Sequence, residues 1–255
     1  MSLAGRVALV SGAGRGIGRS IALGLAADGA DVAVNYRRDA DAAAETVAEI
    51  EKLGRRAIAV AASVDDPGAC ESMVKAVQEA LGPIGILVNN AGIASRGLSV
   101  ADTDPNELLR VFTTHALSAH SLSRLVIPGM RSLSRGDIVM ISSVASRSLR
   151  ANGAPYNMAK SALEALAFTL AKEERPHNIR VNVVAPGLVE TEMGRRLMKA
   201  VAGVDSLREL DDRMPFGRVC QPDDVANAVR FFVSDANSYL TGERIYVDGG
   251  GQSLT

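Results

Sequence analysis

The chain has 255 residues, of which 47% are hydrophobic and 22% charged, and its formal net charge is −1. This composition is typical of one large soluble domain with a substantial core, and it excludes an intrinsically disordered chain. Like charges form no block, aromatic residues amount to 4%, and tryptophan is absent. These properties argue against a protein that binds nucleic acid or a membrane surface.

Cysteine and histidine usage gives no sign of a metal site. Cys70 and Cys220 lie far apart in the sequence, which predicts neither a disulfide framework nor a zinc site. The three histidines do not have the spacing of metal ligands, so we predict no bound metal. The chain begins without the apolar region of a signal peptide and has no apolar run of 18 residues. We therefore expect a cytoplasmic protein.

Short apolar runs alternate with helical patterns along the whole chain. The seven predicted strands are residues 6–11, 31–36, 57–62, 84–89, 137–142, 180–185 and 244–247. Continuous apolar runs are typical of strands covered on both faces, so the alternation predicts a parallel, doubly wound α/β sheet of about seven strands with helices on both faces. We predict one domain over residues 1–255, in which residues 188–214 form a helical insertion over the cleft.

A glycine-rich turn directly follows the first predicted strand. Gly12, Gly16 and Gly18 let the backbone approach a pyrophosphate closely, and the helix that follows attracts the negative charge with its N-terminus. Arg15 and Ile17 lie within the same turn. The alternative is a purely structural turn, but its position after the first strand favours a dinucleotide site.

The tip of the second strand indicates which dinucleotide binds. Enzymes that use NAD carry an acidic residue there to hold the ribose 2′-hydroxyl, whereas this strand ends in Tyr36, Arg37 and Arg38. Guanidinium groups, with Arg15 pointing to the same place, suit a 2′-phosphate. The pattern therefore favours NADP(H) over NAD(H), although the two arginines could simply be solvated in a loop.

Tyr156 and Lys160 stand four residues apart in a helical pattern, so their side chains share one helix face. A nearby ammonium favours the phenolate and lowers the pKa of a tyrosine. This pair therefore predicts a proton donor for carbonyl reduction near neutral pH. Taken alone the pattern is weak, because a half-buried tyrosine beside a solvated lysine gives the same spacing.

The motifs together resemble the short-chain dehydrogenase/reductase family. They are the glycine turn, Asn89-Asn90-Ala91-Gly92, Ser143, the Tyr156/Lys160 pair, Pro186-Gly187 and the terminal Tyr246-Val-Asp-Gly-Gly250. The resemblance covers nearly the whole chain and implies a Rossmann-type fold and a nicotinamide cofactor. It also implies a homotetramer paired through the helices at 105–130 and 152–175 and through the C-terminal strand.

The resemblance also implies a role for each matching position. Ser143 would hydrogen-bond the substrate carbonyl, Tyr156 would protonate it, and Lys160 would hold the nicotinamide ribose and lower the pKa of Tyr156. The remaining cofactor contacts would come from the ends of the third, fourth and sixth strands: Ser63, Val64, Asn90, Ala91, Gly92, Pro186, Gly187, Val189 and Thr191.

One position departs from the family pattern. The family usually places an asparagine in the fourth long helix, where it positions a water that leads to the lysine, and by spacing that position here is His115. An imidazole can also bond a water and can titrate near neutrality, which would make His115 part of a proton path. The alternative is a core histidine with one satisfied nitrogen.

Within the family, the chain is most similar to 3-oxoacyl-(acyl-carrier-protein) reductases, which implies a 3-oxoacyl thioester substrate. Arg131, Arg135, Arg147 and Arg150 would steer such an anionic substrate if they line the cleft mouth, but the sequence favours the simpler interpretation that they are ordinary surface arginines. The alternatives are another small ketone or alcohol, such as a sugar, a steroid or a xenobiotic, and a non-catalytic NADP-binding regulator.

Overall fold

Seven parallel strands form one sheet in the order β3-β2-β1-β4-β5-β6-β7. The computed structural model describes residues 2–251. The strands are β1 Val7–Val10, β2 Asp31–Tyr36, β3 Ala57–Ala61, β4 Ile84–Asn89, β5 Gly136–Ile141, β6 Ile179–Pro186 and β7 Arg244–Val247. Their Val, Ile, Leu and Ala side chains are buried on both faces of β1, β4, β5 and most of β6, which is why the runs are continuous rather than alternating.

Helices cross between successive strands and cover both faces of the sheet. They are α1 Gly16–Ala27, α2 Ala40–Lys52, α3 Pro67–Leu81, α4 Pro105–Phe112, α5 Ser118–Met130, α6 Ala145–Ser148, α7 Ala154–Glu174, α8 Glu192–Ala202 and α9 Pro222–Val233. A π-helical turn, Thr113–Leu117, joins α4 to α5, and 3₁₀ turns include Leu207–Arg213 and Pro215–Gly217. The predicted α/β fold with seven parallel strands is confirmed.

Each face of the sheet has its own apolar core. One core contains side chains of α3, α5 and α7, such as Met73, Leu122 and Leu163, packed against the strands. The other contains side chains of α1, α2 and α9, such as Leu25 and Phe232. Because both faces are covered, the sheet edge formed by the strand ends is where polar groups can collect without disturbing a core.

The strand order reverses between β1 and β4, which are neighbours in the sheet. A reversal of this kind opens a crevice at the carboxyl ends of the strands, and ligands of open α/β sheets bind in that crevice. The segments that follow β1, β4, β5 and β6 all lie at this edge. Most of the predicted site residues come from those segments, and the others, Arg37, Arg38, Ser63 and Val64, follow β2 and β3.

The segment 188–214 holds α8 and the 3₁₀ turn Leu207–Arg213. It has a small apolar cluster of its own, formed by Met198, Leu207, Leu210 and Val219. Its role as a cover over the substrate stays a prediction. Among the helices of residues 2–251, none has the length and apolar character needed to cross a bilayer.

Candidate active site

The glycine turn after β1 is held in a conformation that its glycines permit. Gly12 and Gly16 have φ angles of +65° and +55°, in the left-handed region that side chains disfavour. A Cβ on Gly18 would lie 2.2 Å from the carbonyl oxygen of Gly12, so no larger residue fits there. Arg15, the residue that caps α1, makes no capping hydrogen bond with its side chain. The turn therefore offers a helix N-terminus that fits a phosphate group.

Three polar side chains hold this turn against the neighbouring strands. The Ser11 hydroxyl accepts hydrogen bonds from the backbone N–H groups of Asn90 and Ala91 at 2.9 and 3.0 Å. The Asn90 side chain donates to the carbonyl oxygen of Ser11 at 2.8 Å, and the Asn35 side chain accepts from the N–H of Gly12 at 3.2 Å. Sequence reasoning missed Ser11 and Asn35, because a single Ser or Asn at a strand end gives no pattern of its own.

Two exposed arginines and an acid with another partner lie at the tip of β2. Arg37 and Arg38 are exposed directly after β2. The nearest acid, Asp39, accepts a hydrogen bond from the N–H of Ala42 and so caps α2. Ser63 and Val64 follow β3 at the same edge, and the Ser63 hydroxyl bonds Asp65.

Arg15 has a different partner from the one that its sequence position suggests. Its guanidinium forms an ion pair at 2.9 Å with Glu192, the first residue of α8. The prediction that Arg15 points toward the tip of β2 is therefore wrong for this structure, because a carboxylate on the insertion lies closer. Glu192 also pairs with Arg196 one helical turn later.

Ser143, Tyr156 and Lys160 come together at the end of β5. Ser143 follows β5, whereas Tyr156 and Lys160 lie in the first two turns of α7. The Ser143 hydroxyl is hydrogen-bonded to the Tyr156 hydroxyl. The Lys160 ammonium donates to the carbonyl oxygen of Ile141 at 2.7 Å and lies 5.5 Å from the centre of the Tyr156 ring.

Burial affects the pKa values of Tyr156 and Lys160 more than neighbouring charges and hydrogen bonds do. Burial raises the pKa of Tyr156, and the hydrogen bond from Ser143 opposes that rise. Burial also lowers the pKa of Lys160 to about 7, against the attraction of Glu164. The expected lowering of the Tyr156 pKa by Lys160 is therefore not found, because the effect of burial outweighs the hydrogen bond from Ser143.

His115 lies in the π-helical turn, with 3% of its surface exposed. Its ring meets the Tyr156 ring edge to face at 5.2 Å between centres. Nε2 lies 2.8 Å from the carbonyl oxygen of Ile93 and 3.1 Å from the backbone nitrogen of the same residue, so the tautomer decides which of these two hydrogen bonds it makes. Nδ1 has no partner among the described residues. A Cβ on Gly92 would lie 2.3 Å from Cε1 of this ring, so Gly92 makes room for it.

The expectation that His115 titrates near neutrality is wrong for this structure. Burial, reinforced by repulsion from Lys160, lowers its pKa to about 3, and the hydrogen bond to Ile93 offsets only part of this shift. The imidazole is therefore neutral at physiological pH. A neutral ring can still donate and accept hydrogen bonds, so this result leaves a role as a link in a proton path as a prediction.

The segment after β6 runs beside the glycine turn. The carbonyl oxygen of Pro186 accepts from the N–H of Val144, and the N–H of Gly187 donates to Val247, both at 3.0 Å. Val189 pairs with Cys220 in a short parallel bridge. Thr191 caps α8, and its methyl group would be 3.4 Å from a Cβ placed on Gly16.

A buried carboxylate next to this site was missed by the sequence interpretation. Glu164 lies one turn after Lys160 on α7 and is 4% exposed. It accepts hydrogen bonds from the Ser142 and Ser146 hydroxyls, both at 2.6 Å, and pairs with Arg244 of β7. The only signal in the sequence is the four-residue spacing from Lys160, which is common in helices.

The arginines proposed to steer an anionic substrate have internal partners. Arg131 pairs with Glu174, and Arg135 pairs with Asp137 near the start of β5, at the end of that strand opposite to Ser143. The steering interpretation is therefore wrong for these two. Arg147 is nearer the site, but it pairs with Asp248 and stacks on Tyr246 with 4.0 Å between the guanidinium carbon and the ring centre.

Comparison with known proteins shows what shares this arrangement. The sequence model described as enoyl-(acyl carrier protein) reductase matches residues 12–252. The 3-oxoacyl-[acyl-carrier-protein] reductase FabG of Escherichia coli is 36% identical over 250 residues, which cover 98% of both chains. This chain belongs to the short-chain dehydrogenase/reductase family. The family assignment made from the motifs is confirmed, and the enzyme is an oxidoreductase that acts on CH–OH groups.

Solved structures of other family members differ in substrate and cofactor. A 7α-hydroxysteroid dehydrogenase in complex with NADH and 7-oxo glycochenodeoxycholic acid is 34% identical, with a TM-score of 0.89 over 98% of this chain and 95% of that one. The L-sorbose reductase of Gluconobacter frateurii, in complex with NADPH and L-sorbose, is 31% identical, with a TM-score of 0.91 over 98% and 97%. The shared frame thus supports a nicotinamide cofactor for this short-chain dehydrogenase/reductase, while substrates vary among its relatives.

Proposed function

We propose that the enzyme uses NADP(H) to interconvert a ketone and a secondary alcohol, with a 3-oxoacyl thioester as its substrate. The observation that carries the reaction class is the cluster of Ser143, Tyr156 and Lys160 after β5, at the same edge of the sheet as the glycine turn after β1. The assignment of roles to these residues follows the family resemblance. Their geometry supports it, because both hydroxyls and the ammonium converge at the same edge of the sheet as the phosphate-binding turn.

The proposed mechanism uses one proton and one hydride. Lys160, Tyr156 and the segment after β6 would hold the nicotinamide, which would supply the hydride for the carbonyl carbon. The Ser143 hydroxyl donates a hydrogen bond to the carbonyl oxygen and so stabilises the negative charge that develops there. Tyr156 transfers its proton to that oxygen, which completes the alcohol. Lys160 in its ammonium form stabilises the Tyr156 phenolate that remains.

The cofactor would lie across the switch point between β1 and β4. Gly12, Gly16, Ile17 and Gly18 would hold the pyrophosphate at the start of α1. The other proposed contacts are Ser63, Val64, Asn90, Ala91 and Gly92 on the adenosine side and centre, and Lys160, Tyr156, Pro186, Gly187, Val189 and Thr191 around the nicotinamide.

The preference for NADP(H) over NAD(H) rests on charge at the tip of β2. Arg37 and Arg38 are exposed there, and Asp39 is occupied as the cap of α2. A guanidinium forms strong, paired hydrogen bonds with a phosphate. Arg15 would join them only if it left Glu192.

The choice of substrate class rests on two observations. The chain is 36% identical to a 3-oxoacyl-[acyl-carrier-protein] reductase over almost its whole length. The segment from α8 to Pro215–Gly217 also exposes large apolar side chains, with Met193 42%, Leu197 51% and Phe216 88% exposed. An apolar cover suits an acyl chain better than a sugar.

A panel of carbonyl compounds tests this proposal. We would follow the loss of NADPH absorbance with a short 3-oxoacyl thioester, a ketose and an oxosteroid, and compare kcat/KM. We expect the thioester to give the highest value. A higher kcat/KM for the ketose or the steroid would contradict the substrate class but not the reaction class. Binding of NADPH without turnover of any member would instead support the alternative of a non-catalytic regulator.

We further propose that the enzyme is a cytoplasmic homotetramer. The support is the family resemblance and the apolar residues on α7, among them the half-buried Leu166 beside the buried Leu163, Ala167 and Leu170. Light scattering should give about four times the chain mass of 26.7 kDa. A mass of one chain at micromolar concentration would contradict this assembly.

A further inference from the structure

Glu164 is a buried carboxylate with partners on three other elements. Its Oε1 accepts from Ser142 at the end of β5 and from Ser146 in α6, and its Oε2 pairs with Arg244 of β7. Its side chain is 6% exposed. A buried carboxylate is tolerated only when it is fully hydrogen-bonded, and an arginine and two hydroxyls achieve this here. Nothing in the proposed mechanism uses this group directly.

The two serines that Glu164 holds enclose Ser143. Ser142 precedes it in the chain, and the Ser146 hydroxyl also donates to the carbonyl oxygen of Ser143 at 2.9 Å. The Ser143 hydroxyl in turn accepts from the N–H of Ala145 at 3.2 Å. Glu164 therefore fastens both ends of the turn that carries Ser143 to helix α7, which carries Tyr156.

Glu164 also sets the electrostatic surroundings of Lys160. The titratable and charged groups around the ammonium are Tyr156 and Glu164 on its own helix and His115 on the π-helical turn, while β5 contributes only the carbonyl of Ile141. Of these, His115 is neutral and Tyr156 carries a protonated hydroxyl. Glu164 is thus the anion that opposes the effect of burial on Lys160, and Arg244 is the cation that moderates it.

We propose that Glu164 is a positioning residue, which holds the Ser143 turn in register with Tyr156 and keeps Lys160 in its ammonium form. This inference rests on the proposed function of the Ser143, Tyr156 and Lys160 group. The two effects have one cause, because the same carboxylate bonds the turn and lies one helical turn after Lys160 on α7.

The first test measures Lys160 without any catalytic assay. The chain has five lysines. In protein labelled with ¹³C at the lysine Cε, the Lys160 signal should titrate near its pKa of about 7, well apart from the usual value of about 10.4 for an exposed lysine. Loss of this signal in Lys160→Met assigns it. In Glu164→Gln we expect its midpoint to fall by about one pH unit, because an opposite charge has been removed.

The second test measures turnover. Glu164→Gln should lower kcat at least tenfold on the best substrate of the panel, because misplacing a reacting group by about 1 Å costs up to ~100-fold. The affinity for NADPH should stay within about twofold of the wild type. The alkaline limb of the kcat profile should move to lower pH together with the Lys160 midpoint. Ser146→Ala keeps the charge, so it should lower kcat without moving either midpoint.

Asp137→Asn is the matched control. Asp137 is a carboxylate 1% exposed that bonds Arg6 and Arg135, and it lies at the other end of β5. Its neutralisation should cost stability as Glu164→Gln does, yet leave the Lys160 midpoint and kcat near the wild-type values. If Glu164→Gln leaves the Lys160 midpoint and kcat unchanged, or if Asp137→Asn shifts them equally, Glu164 is a structural residue only.

The two proposals can fail separately. If the wild type turns over no member of the panel, the proposed function fails, while the Lys160 titration still decides the electrostatic part of the role of Glu164. If Glu164→Gln does not fold, Ser146→Ala still decides the positioning part, and unchanged kcat in that variant would overturn it.

Discussion

The glycine turn and the segment 188–214 are built in different ways. Around the glycine turn, partly buried hydrogen bonds of Ser11, Asn35 and Asn90, at 2.8 to 3.2 Å, hold backbone groups in place. The segment 188–214 packs on its own cluster around Leu210 and reaches the glycine turn through an exposed ion pair, Arg15 with Glu192. Exposed ion pairs contribute little stability, so the second region can change shape or sequence at low cost to the fold.

We expect the largest loss of activity from a change to Tyr156, the proposed proton donor. Tyr156→Phe removes the proton that the carbonyl oxygen needs, and we expect kcat to fall by ~100- to 10,000-fold. Because the phenol is not part of the glycine turn, NADPH should bind within a few-fold of the wild-type affinity. The measurement is kcat with the best ketone of the panel, with fluorescence titration of NADPH as control. A variant that retains more than a tenth of the rate would remove Tyr156 from the mechanism.

One substitution made in both regions sharpens the contrast between them. Leu25 in α1 and Leu210 in the covering segment are 0% and 2% exposed. Leu25→Ala should lower the free energy of unfolding by about 2–5 kcal/mol, because it leaves a cavity in a core of the sheet. Leu210→Ala should lower the free energy of unfolding by less than Leu25→Ala does. It should raise KM for the ketone, because it loosens only the segment 188–214, which we propose covers the substrate. Equal losses of stability with unchanged KM in both variants would show that the two regions form one cooperative unit.

Arg37→Ala tests the charge at the tip of β2. Loss of a charge-assisted bond to the 2′-phosphate should weaken NADPH binding by roughly ten- to a hundred-fold, with little effect on NADH. The measurement is the Kd of each cofactor. Arg19→Ala is a matched control, because Arg19 lies on α1 and pairs with Glu49 instead. Equal or better kcat/KM with NADH in the wild type would refute the preference for NADP(H).

The smallest effect should be the pH dependence of stability that His115 causes. The pKa of His115 is lowered to about 3 in the folded state, against about 6.5 in an unfolded chain. Protons therefore favour the unfolded state as the pH falls below about 6.5, and stability is lost progressively toward pH 3. His115→Asn should lose less melting temperature between pH 7 and pH 4.5 than the wild type does. His177→Asn, at an exposed position, should behave as the wild type.

The activity of His115→Asn provides a second check. Because the ring is neutral above about pH 5, the kcat profiles of wild type and variant should share the same midpoints between pH 6 and pH 9. An acid limb that only the wild type shows would mean that His115 does titrate in the working enzyme. Loss of all activity in a folded variant would show that an imidazole and an amide are not equivalent at this position.

The parts of the fold that the sequence predicted well are those that burial alone determines. The bounds of β2, β4 and β7 agree with prediction to the residue, and the bounds of the other strands differ by one residue at one or both ends. These strands lie between two layers of helices, so their apolar runs end where the helices no longer bury them. The glycine turn and the helix after it were predictable because of close packing. The backbone at Gly18 lies so near the carbonyl oxygen of Gly12 that no side chain fits there.

The contacts that the sequence could not predict join residues far apart in the chain. Arg15 meets Glu192, and Glu164 meets Arg244, across 177 and 80 positions. The positions of acidic residues in the sequence do not indicate which of them would pair with Arg15. The π-helical turn was also missed, because its residues have ordinary helical character and the turn arises from packing His115 against Gly92 and Tyr156.

The π-helical turn Thr113–Leu117 joins α4 and α5, which pack against different neighbours. Upstream of Thr113–Leu117, α4 packs on α7, whereas downstream α5 packs on α3 and β4. A π turn holds one residue more than an α turn, and each residue advances a helix by about 100°. Shortening the turn by one residue would therefore rotate α5 by about a quarter of a circle, carrying Leu122 and Val126 away from the core. The number of residues in the π-helical turn is therefore constrained. A deletion there would misalign α5 even though the sequence of α5 is unchanged.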